Sequence, residues 1–438
     1  MNARLETRLA TQAKRANQVC KVFELKIDKS HLSKTQSEFL GRLFAEDKWF
    51  YNYCLEQKNI KDADTTIKSV PVKLGKDGVY EDRPLTNLAG QMKQAIQNRI
   101  FLSLKTLSTL KKKGKKVGWL KFKSHVESLP LKQHNVTYRL NLNQNYLLLP
   151  KLKKPIKVLG LEQIPPKAEL ANANLLSKHG DYFLHVTTFM DKDSDYIQEQ
   201  HDINQRRKGR ALGIDFGCTT QLTGMEVNKQ GYKIEFEIPV SDRIKRLDRR
   251  IQKKNRKRSK NKSKDQAKRR KAYAHLTNQR KDIRNKVVSA LSKNYEIICV
   301  QDENIKGWQK GGHGKKITNT GIGGIMSALK KRAHTLVEVD RFVPTTKTCS
   351  QCGHVKDMEQ SDRVYDCPEC KALMDRDGNS GMMMLVVGLG KISREPREFN
   401  YKPGEMRAKA TSDLVEVLRH IDHVRCKPLS VNQEATPL

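Results

Sequence analysis

Two pairs of cysteines, each with the spacing C-x-x-C, lie close together in the C-terminal part of the chain. Cys349 and Cys352 form the first pair, and Cys367 and Cys370 form the second after fourteen intervening residues. Each C-x-x-C turn directs two sulfurs inwards, and the intervening loop is long enough for a hairpin, so the spacing is typical of a closed tetrahedral zinc site. We predict a structural zinc ribbon over 345–373, with no open metal position for a substrate.

Three acidic residues, far apart in the sequence, carry the second chemical signal. Asp215 lies in "LGIDFG", Glu303 ends "IICVQDE", and Asp377 follows the cysteines in "DRDGNS". Carboxylates that close apolar strands or open a neighbouring helix are what a two-metal phosphodiester site requires, with two Mg²⁺ ions about 4 Å apart. Acids at strand ends are also often simply solvated, and for these residues taken alone that alternative stays open.

The charge of the chain favours a polyanionic partner. The 438 residues include 85 Lys and Arg against 48 Asp and Glu, which gives a formal net charge of +37. In the run 243–271, 17 of 29 residues are basic and a thin apolar stripe has helical spacing, so we predict a helix laid along phosphates; the alternative is a solvated basic face. Nine cysteines, an odd number, argue against a closed disulfide framework.

The remaining sequence must build the elements that position these residues. A strand is predicted at "VCKVFELKI", followed by helices over 34–58 and 85–113. Short β-like runs between 117 and 189 predict a small barrel or sandwich into which the helices are inserted. No apolar run is long enough to span a membrane and the N-terminus lacks the apolar region of a secretory signal. We therefore expect a cytoplasmic protein, associated with a bacterial or archaeal nucleoid, without a membrane partner.

Several motifs, in their order along the chain, resemble one known family. "ALGIDFG", the basic run, "CVQDENIKGW", "PTTKTCSQCG…YDCPEC" and "MDRDGNS" are similar to the transposon-encoded TnpB (OrfB) nucleases and to the compact type V CRISPR effectors. "WFYNYCL" and "GWLKFKS" resemble N-terminal landmarks of that family, so the resemblance spans nearly the whole chain. It implies a RuvC-like, RNase H-fold domain with the zinc ribbon inserted just before the helix that carries the last catalytic aspartate.

The resemblance implies an α+β multidomain protein: an N-terminal wedge β-barrel with an inserted helical recognition domain, and a C-terminal RuvC-like domain with an inserted zinc ribbon. The expected boundaries are 1–31 and 117–205 for the barrel, 32–116 for the helical insertion, 206–344 and 374–392 for the RuvC-like domain, 345–373 for the ribbon and 393–438 for a C-terminal tail.

Two departures from the family pattern affect the predicted site. The family's second motif commonly reads E-D-L-N, whereas this chain has Gln301 at the glutamate position. Because residues i and i+2 of a strand share a face, we predict that Glu303 takes the place of that glutamate and that Asp302 points away. In the third motif, Gly378 and Gly381 fall where a helix is expected to start.

The implied function is RNA-guided cleavage of double-stranded DNA beside a short flanking motif, by a single RuvC-like site. The implied cofactors are one structural Zn²⁺, two catalytic Mg²⁺ and a guide RNA, with target DNA as partner and a monomer or homodimer on each guide. A nuclease-deficient RNA-guided DNA-binding protein, suggested by Gln301, is one alternative. A non-enzymatic zinc-ribbon RNA-binding protein and a guide-independent resolvase are two others.

Two further groups of residues are candidate nucleic-acid contacts. The basic candidates are Arg249, Arg250, Lys253, Lys254, Lys121 and Lys123. The candidates for reading the flanking motif, because amides can pair bidentately with adenine, are Tyr51, Asn52, Gln91 and Gln94. Tyr51 and Asn52 could equally well pack the helix pair.

Neutralising Arg249, Arg250, Lys253 and Lys254 together is expected to weaken guide or heteroduplex binding. Each phosphate contact contributes about one to the slope of log affinity against log salt concentration, so the slope should flatten by up to about four. Fluorescence anisotropy across a salt series measures it. An unchanged slope would assign the run to a solvated face.

Overall fold

The chain folds into two compact units, 1–193 and 194–438, each of which combines helices with a β-sheet. No helix within the described part of the chain is long and apolar enough to cross a bilayer. The computed structural model describes residues 3–74, 78–236, 240–253, 260–310, 314–359, 361–392 and 409–430.

The first unit is built on a seven-stranded antiparallel sheet with the order β4-β8-β9-β1-β7-β6-β5. A separate hairpin, β2 with β3, lies in the segment between β1 and β4. The strands are β1 (Gln18–Ile27), β2 (Ser69–Leu74), β3 (Val79–Pro84), β4 (Ser128–Leu131), β5 (Arg139–Asn141), β6 (Tyr146–Leu148), β7 (Ile156–Leu159), β8 (Glu169–Lys178) and β9 (Asp181–Asp191).

Two long helices lie between β1 and β4 in the chain. The helices of this unit are α1 (Ala3–Ala16), α2 (Lys34–Glu56) and α3 (Gly90–Lys112). Ser33 and Gln36 form a capping box at the start of α2, which satisfies backbone N–H groups that a helix terminus otherwise leaves free. Leu40 and Phe50 of α2 pack in one core with Leu25 of β1 and Leu184 of β9.

The second unit contains a six-stranded sheet with the order β14-β13-β10-β11-β12-β17. β10 runs parallel to β13, which runs parallel to β14, whereas β10, β11, β12 and β17 form antiparallel pairs. A small hairpin, β15 with β16, stands apart from this sheet. The strands are β10 (Ala211–Phe216), β11 (Leu222–Glu226), β12 (Gln230–Phe236), β13 (Ile297–Gln301), β14 (Thr335–Val339), β15 (Val364–Asp366), β16 (Leu373–Asp375) and β17 (Val424–Ser430).

Helices cover both faces of this sheet. The helices are α4 (Ser194–Arg207), α5 (Asp242–Lys253), α6 (Lys260–Asn294), α7 (Ile305–Lys310), α8 (Gly314–Thr320), α9 (Ile322–Arg332), α10 (Arg376–Ile392) and α11 (Lys409–Arg419). Leu212 and Ile214 of β10 belong to the core shared with α6, α9 and α11. Ala211 of β10 and Cys299 of β13 belong to a second core with Leu385 of α10. The two faces of β10 therefore meet different helices.

Some elements differ from the sequence-based expectation. The described residues of the expected tail, 393–438, include α11 and β17, and β17 pairs with β12 in the sheet. The hairpin of β2 and β3 lies inside the expected helical insertion. In the first sheet, β4 and β5 are edge strands that do not pair with each other within the described residues, so the ladder does not close into the expected barrel. Both edges are short, with four and three residues.

A buried carboxyl group lies within the core of the first unit. Asp47 on α2 is fully buried, and its Oδ1 lies 3.5 Å from Nη2 of Arg99 on α3. Burial raises the pKa of Asp47 to about 7, although the positive charges of Arg99 and Lys123 oppose the shift. Between about pH 4 and pH 7 the folded protein keeps a proton that the unfolded chain has lost. The free energy of unfolding therefore falls as the pH rises through this range.

Replacing Asp47 by Asn is expected to remove this pH dependence. The amide is neutral and of similar shape, so between pH 5 and pH 8 the free energy of unfolding of the variant should gain about 3 kcal/mol on that of the wild type. Chemical denaturation of both proteins at the two pH values measures the difference. A difference that is the same at both pH values would show that Asp47 titrates normally.

Candidate active site and cysteine cluster

Asp215 lies near the end of β10, on the sheet face that α10 covers. Alternation along the strand places Asp215 on the same face as Gly213 and Ala211. A Cβ atom at Gly213 would collide with the carbonyl oxygen of Gly381, and one at Gly381 would lie 2.9 Å from Cγ of Met225. Glycine at these two positions therefore lets α10 lie directly against the sheet, beside Asp215.

Asp377 lies in the first turn of α10, and its neighbours fix the start of that helix. Asp375 immediately precedes the helix, and its Oδ1 accepts a hydrogen bond of 2.9 Å from the backbone N–H of Gly378. Its Oδ2 lies 2.6 Å from Nζ of Lys233. Arg376 forms an ion pair of 3.0 Å with Asp377. The helix begins at Arg376 although it has two glycines in its first two turns. Gly378 and Gly381 face the sheet, where there is little room for a side chain.

The three residues Gln301, Asp302 and Glu303 of the second motif have different surroundings. β13 ends at Gln301, whose side chain is buried, and Glu303 follows the strand and is half-buried. Asp302 forms an ion pair with Arg341. Gln301 and Glu303 line the same cavity, and Asp302 is not part of its lining. The strand alternation on which the choice of Glu303 is based stops at Gln301.

The structure brings Asp215, Glu303 and Asp377 together around one cavity of about 970 Å³ in the second unit. Burial, followed by the negative charge of Asp377, raises the pKa of Asp215 to about 8; a hydrogen bond with Ser380 opposes the shift and Glu303 adds to it. Burial also raises the pKa of Glu303, against the positive charge of Arg341. Cationic side chains line the same cavity, and they are Lys233, Arg341, Lys347, Arg363 and Arg376.

Two buried residues of α10 connect this cavity to the cysteine segment. The amide of Asn379 donates to the carbonyl oxygen of Thr348 at 2.8 Å, and its Oδ1 accepts from the N–H of Ser350, also at 2.8 Å. Both partners flank Cys349 in the first C-x-x-C turn. Ser380 hydrogen-bonds to Asp215 and donates to Oγ1 of Thr345 at 3.1 Å. The sequence motif includes both polar residues, but only the folded chain reveals their partners.

The four cysteines converge with the geometry that a tetrahedral metal site requires. The Sγ atoms of Cys349 and Cys370 are 3.6 Å apart, those of Cys352 and Cys367 are 3.5 Å apart, and all four lie within 4.8 Å of one another. With Zn–S bonds of about 2.3 Å, tetrahedral coordination places sulfurs about 3.8 Å apart, so the cluster fits zinc. The second pair lies at the hairpin of β15 and β16, which ends at Asp375.

The basic candidates are distributed over both units. Arg249, Arg250 and Lys253 are exposed on α5, and Arg250 lies 3.5 Å from the buried Asp265 of α6. Lys254 lies outside the described residues. In the first unit Lys121 is exposed. Lys123 is partly buried, because its ammonium group lies 3.9 Å from the centre of the Tyr51 ring.

The candidates for reading a flanking motif fall into two pairs. Asn52 donates to the carbonyl oxygen of Lys123 at 2.9 Å and accepts from its N–H at 2.8 Å, and Tyr51 is buried. These contacts are those of the packing alternative, since they occupy the amide of Asn52. Gln91 has a buried Oε1 without a hydrogen-bond partner within the described residues. Gln94 is exposed and lines a cavity of about 220 Å³ with three asparagines and Lys132.

Two family models match adjoining parts of the second unit. Residues 195–310 match the OrfB_IS605 model, described as "Probable transposase", and this stretch contains Asp215 and Glu303. Residues 325–384 match the model "Cas12f1-like, TNB domain", and this stretch contains the four cysteines and Asp377. In these two stretches the chain is similar to the TnpB (OrfB) proteins and to their compact type V relatives. The resemblance predicted from the motifs is thereby confirmed.

Curated members of the TnpB family match less than half of the chain. "TnpB-like protein L79" of Acanthamoeba polyphaga mimivirus is 28% identical over 219 residues, which cover 44% of this chain and 40% of that protein. A "Putative RNA-guided DNA endonuclease" of Streptomyces pristinaespiralis is 26% identical over 192 residues, which cover 41% of this chain and 45% of that protein. The chain thus spans about two fifths of the length of the curated relatives that it matches.

Solved structures of compact effectors are similar to this chain only at a low level. CasPhi-2 (Cas12j) bound to crRNA and phosphorothioate DNA aligns with a TM-score of 0.35 and 11% identity, over 88% of this chain and 95% of the other. The mini-RNA-guided endonuclease CRISPR-Cas_phi3 aligns with a TM-score of 0.37 and 9% identity, over 85% and 93%.

Purified protein is expected to contain one tightly bound zinc ion per chain. Cys367→Ser should remove it, because three sulfurs no longer close the tetrahedron, and should lower the thermal stability of the second unit. Asn379→Ala keeps all four ligands and should retain zinc while losing the two hydrogen bonds to the first C-x-x-C turn.

Metal content by mass spectrometry, together with thermal unfolding, distinguishes the two variants. Zinc-free wild-type protein would contradict the metal assignment. Loss of zinc in Asn379→Ala would contradict the separate roles given to ligand and tether.

Proposed function

We propose that the protein is an RNA-guided DNA endonuclease whose single RuvC-like site uses Asp215, Glu303 and Asp377. The observation that carries this proposal is the convergence of these three carboxyl groups, from β10, the end of β13 and α10, on one cavity. The strand order of the second unit, with three antiparallel strands followed by two parallel ones, supports an RNase H-type fold for this domain. The similarity to TnpB proteins, and to a protein named as a putative RNA-guided DNA endonuclease, supports the guided reaction.

The donor set suits Mg²⁺. Carboxylate oxygens are the ligands that this hard cation prefers. Burial, together with the negative charges of Asp377 and Glu303, raises the pKa of Asp215, and a cation among the acids would offset these effects. Mg²⁺, when bound, supplies Lewis-acid stabilisation of the phosphate and lowers the pKa of an attacking water. We assign two ions to the site by analogy with other phosphodiester-cleaving enzymes.

The protein's own residues orient the acids and the nucleic acid. Ser380 is hydrogen-bonded to Asp215 and restricts its orientation. Arg376, which pairs with Asp377 in this structure, would turn towards the phosphate of a bound strand. Lys233 and Arg363 add positive charge to the cavity wall, where it attracts the backbone of that strand.

The remaining functions are proposed at the level of the whole chain. Base pairing between guide and target would supply sequence recognition, so the protein needs mainly a basic surface for the heteroduplex and a short-motif reader. The exposed basic side chains of α5 serve the first purpose, and Gln94 with its amide-rich cavity is the candidate for the second. The expected zinc ribbon, tied to α10 by Asn379, holds the helix that carries Asp377.

One observation favours a second candidate, a guided DNA-binding protein without nuclease activity. Gln301 occupies the family's glutamate position, and its amide nitrogen donates to two backbone carbonyl oxygens, of Asp340 at 3.1 Å and of Val343 at 2.9 Å. A carboxylate could not donate either bond. The endonuclease therefore depends on Glu303 as the third acid, which makes Glu303 the deciding residue between the two candidates.

Glu303→Gln and Asp377→Asn are each expected to lower Mg²⁺-dependent cleavage of a guide-matched plasmid by at least about 100-fold, because each removes a charged metal ligand. The guide is obtained by sequencing the RNA that copurifies with the protein and then reprogramming its target-matching end. Asp302→Asn is the matched control, since Asp302 pairs with Arg341 and does not line the cavity; it should stay within about threefold of wild type.

Reactions without guide and with a mismatched guide complete the test. Guide-matched binding without any cleavage by the wild type would establish the nuclease-deficient candidate. Cleavage of branched DNA without RNA would indicate a resolvase. Full activity of Glu303→Gln would remove Glu303 from the site.

A further inference from the structure

Phe342 is the most exposed large apolar side chain beside the acidic cavity. Its exposed fraction is 86%, and it lines the cavity that contains Asp215, Glu303 and Asp377. Within the described residues, only Trp119 among the large apolar side chains is more exposed. An aromatic ring held in water beside a site for nucleic acid is suited to stacking on a base, which presents an apolar face of similar size.

The ring is presented by a tight and well-braced turn. The N–H of Val343 donates to the carbonyl oxygen of Asp340 at 3.1 Å, and the N–H of Phe342 donates to Oδ1 of Asp340 at 2.8 Å. Pro344 then restricts the chain as it leaves the turn. The exposure of Phe342 therefore belongs to an ordered turn with its own internal hydrogen bonds.

The side chain of Gln301 stabilises this turn through hydrogen bonds to its backbone. Its amide donates to the carbonyl oxygens of Asp340 and Val343, the residues at the two ends of the turn that carries Phe342. Its Oε1 accepts from the hydroxyl of Thr345, which in turn accepts from Ser380, the partner of Asp215. The residue that replaces the family's glutamate thus connects the exposed aromatic turn with the residue that orients Asp215.

We propose that Phe342, on the turn 340–343 braced by Gln301, is a base-stacking position that holds an unpaired nucleotide of a single strand at the mouth of the acidic cavity. A base inside a duplex cannot offer its face to the ring, because the stacked neighbours cover both of its faces. The cationic wall of the cavity binds the backbone of the same strand. The inference deepens the proposed function by giving the site a preference for unpaired nucleotides.

The test uses the full chain and a DNA pentanucleotide with 2-aminopurine, whose fluorescence is quenched on stacking, in EDTA so that no cleavage occurs. Wild type should quench the probe, Phe342→Trp should keep the quenching, and Phe342→Ala and Phe342→Leu should each weaken probe binding about 10-fold. Because the side chain is 86% exposed, these replacements should leave thermal unfolding unchanged. Val417→Ala, at an exposed position on α11, is the matched control and should resemble wild type.

Three comparisons complete the experiment. A DNA hairpin with 2-aminopurine inside a long, stable stem should show no difference between wild type and Phe342→Ala, and an RNA pentanucleotide determines whether the position prefers DNA. Gln301→Glu should lose quenching like Phe342→Ala, because its carboxylate would face two carbonyl oxygens and release the turn. Equal quenching by wild type, Phe342→Ala and Phe342→Leu would overturn the inference.

The outcome is independent of the nuclease assay. Quenching that depends on Phe342 in a protein that cuts nothing would keep the stacking position and reject the endonuclease. Guided cleavage by the wild type, together with quenching that is the same with and without the Phe342 ring, would support the endonuclease and reject the stacking position.

Discussion

The close approach of α10 to β10 is the contact on which the site depends. Gly213 and Gly381 face each other across this contact, and a side chain at Gly213 would occupy the position of the Gly381 carbonyl oxygen. The approach places Asp377 and Ser380 beside Asp215, where burial and then the negative charge of Asp377 raise the pKa of Asp215 to about 8. The fold therefore holds together carboxyl groups that would separate in a looser structure, and a cation is the natural partner for such a group.

The cysteine cluster lies directly beside the acidic residues because hydrogen bonds connect its backbone to α10, the helix that carries Asp377. Asn379 ties the first turn of α10 to the backbone on both sides of Cys349, and the hairpin of β15 and β16 leads straight into Asp375, which caps the helix. Four residues of "DRDGNS" therefore have different structural roles. Asp375 starts the helix, Asp377 faces the cavity, Asn379 holds the cysteine segment and Ser380 orients Asp215. Rigidity supplied by a metal-bound cluster would be transmitted to Asp377 through this single turn.

The sequence predicts those parts of the fold that are encoded locally. The two C-x-x-C pairs, the helices α2 and α3, and the acids at apolar strand ends follow from spacing and periodicity within short stretches. The sequence does not predict β17, because this strand is stabilised by pairing with β12, which lies nearly two hundred residues earlier in the chain. The partners of Gln301 and Ser380 are equally invisible, since both side chains bond across the fold. The sequence does not indicate that the side chain of Phe342 is exposed to solvent; only the structure shows this.

The central claim is that Asp215, Glu303 and Asp377 together bind the catalytic metal, with Glu303 in place of the family's glutamate at Gln301. Anomalous diffraction from crystals soaked with Mn²⁺, a substitute for Mg²⁺, measures this directly. The account predicts anomalous peaks in the acidic cavity, at about 2.1 Å from carboxylate oxygens of all three residues. Peaks held by Asp215 and Asp377 with Glu303 turned away, or no Mn²⁺ in the cavity at all, would contradict it.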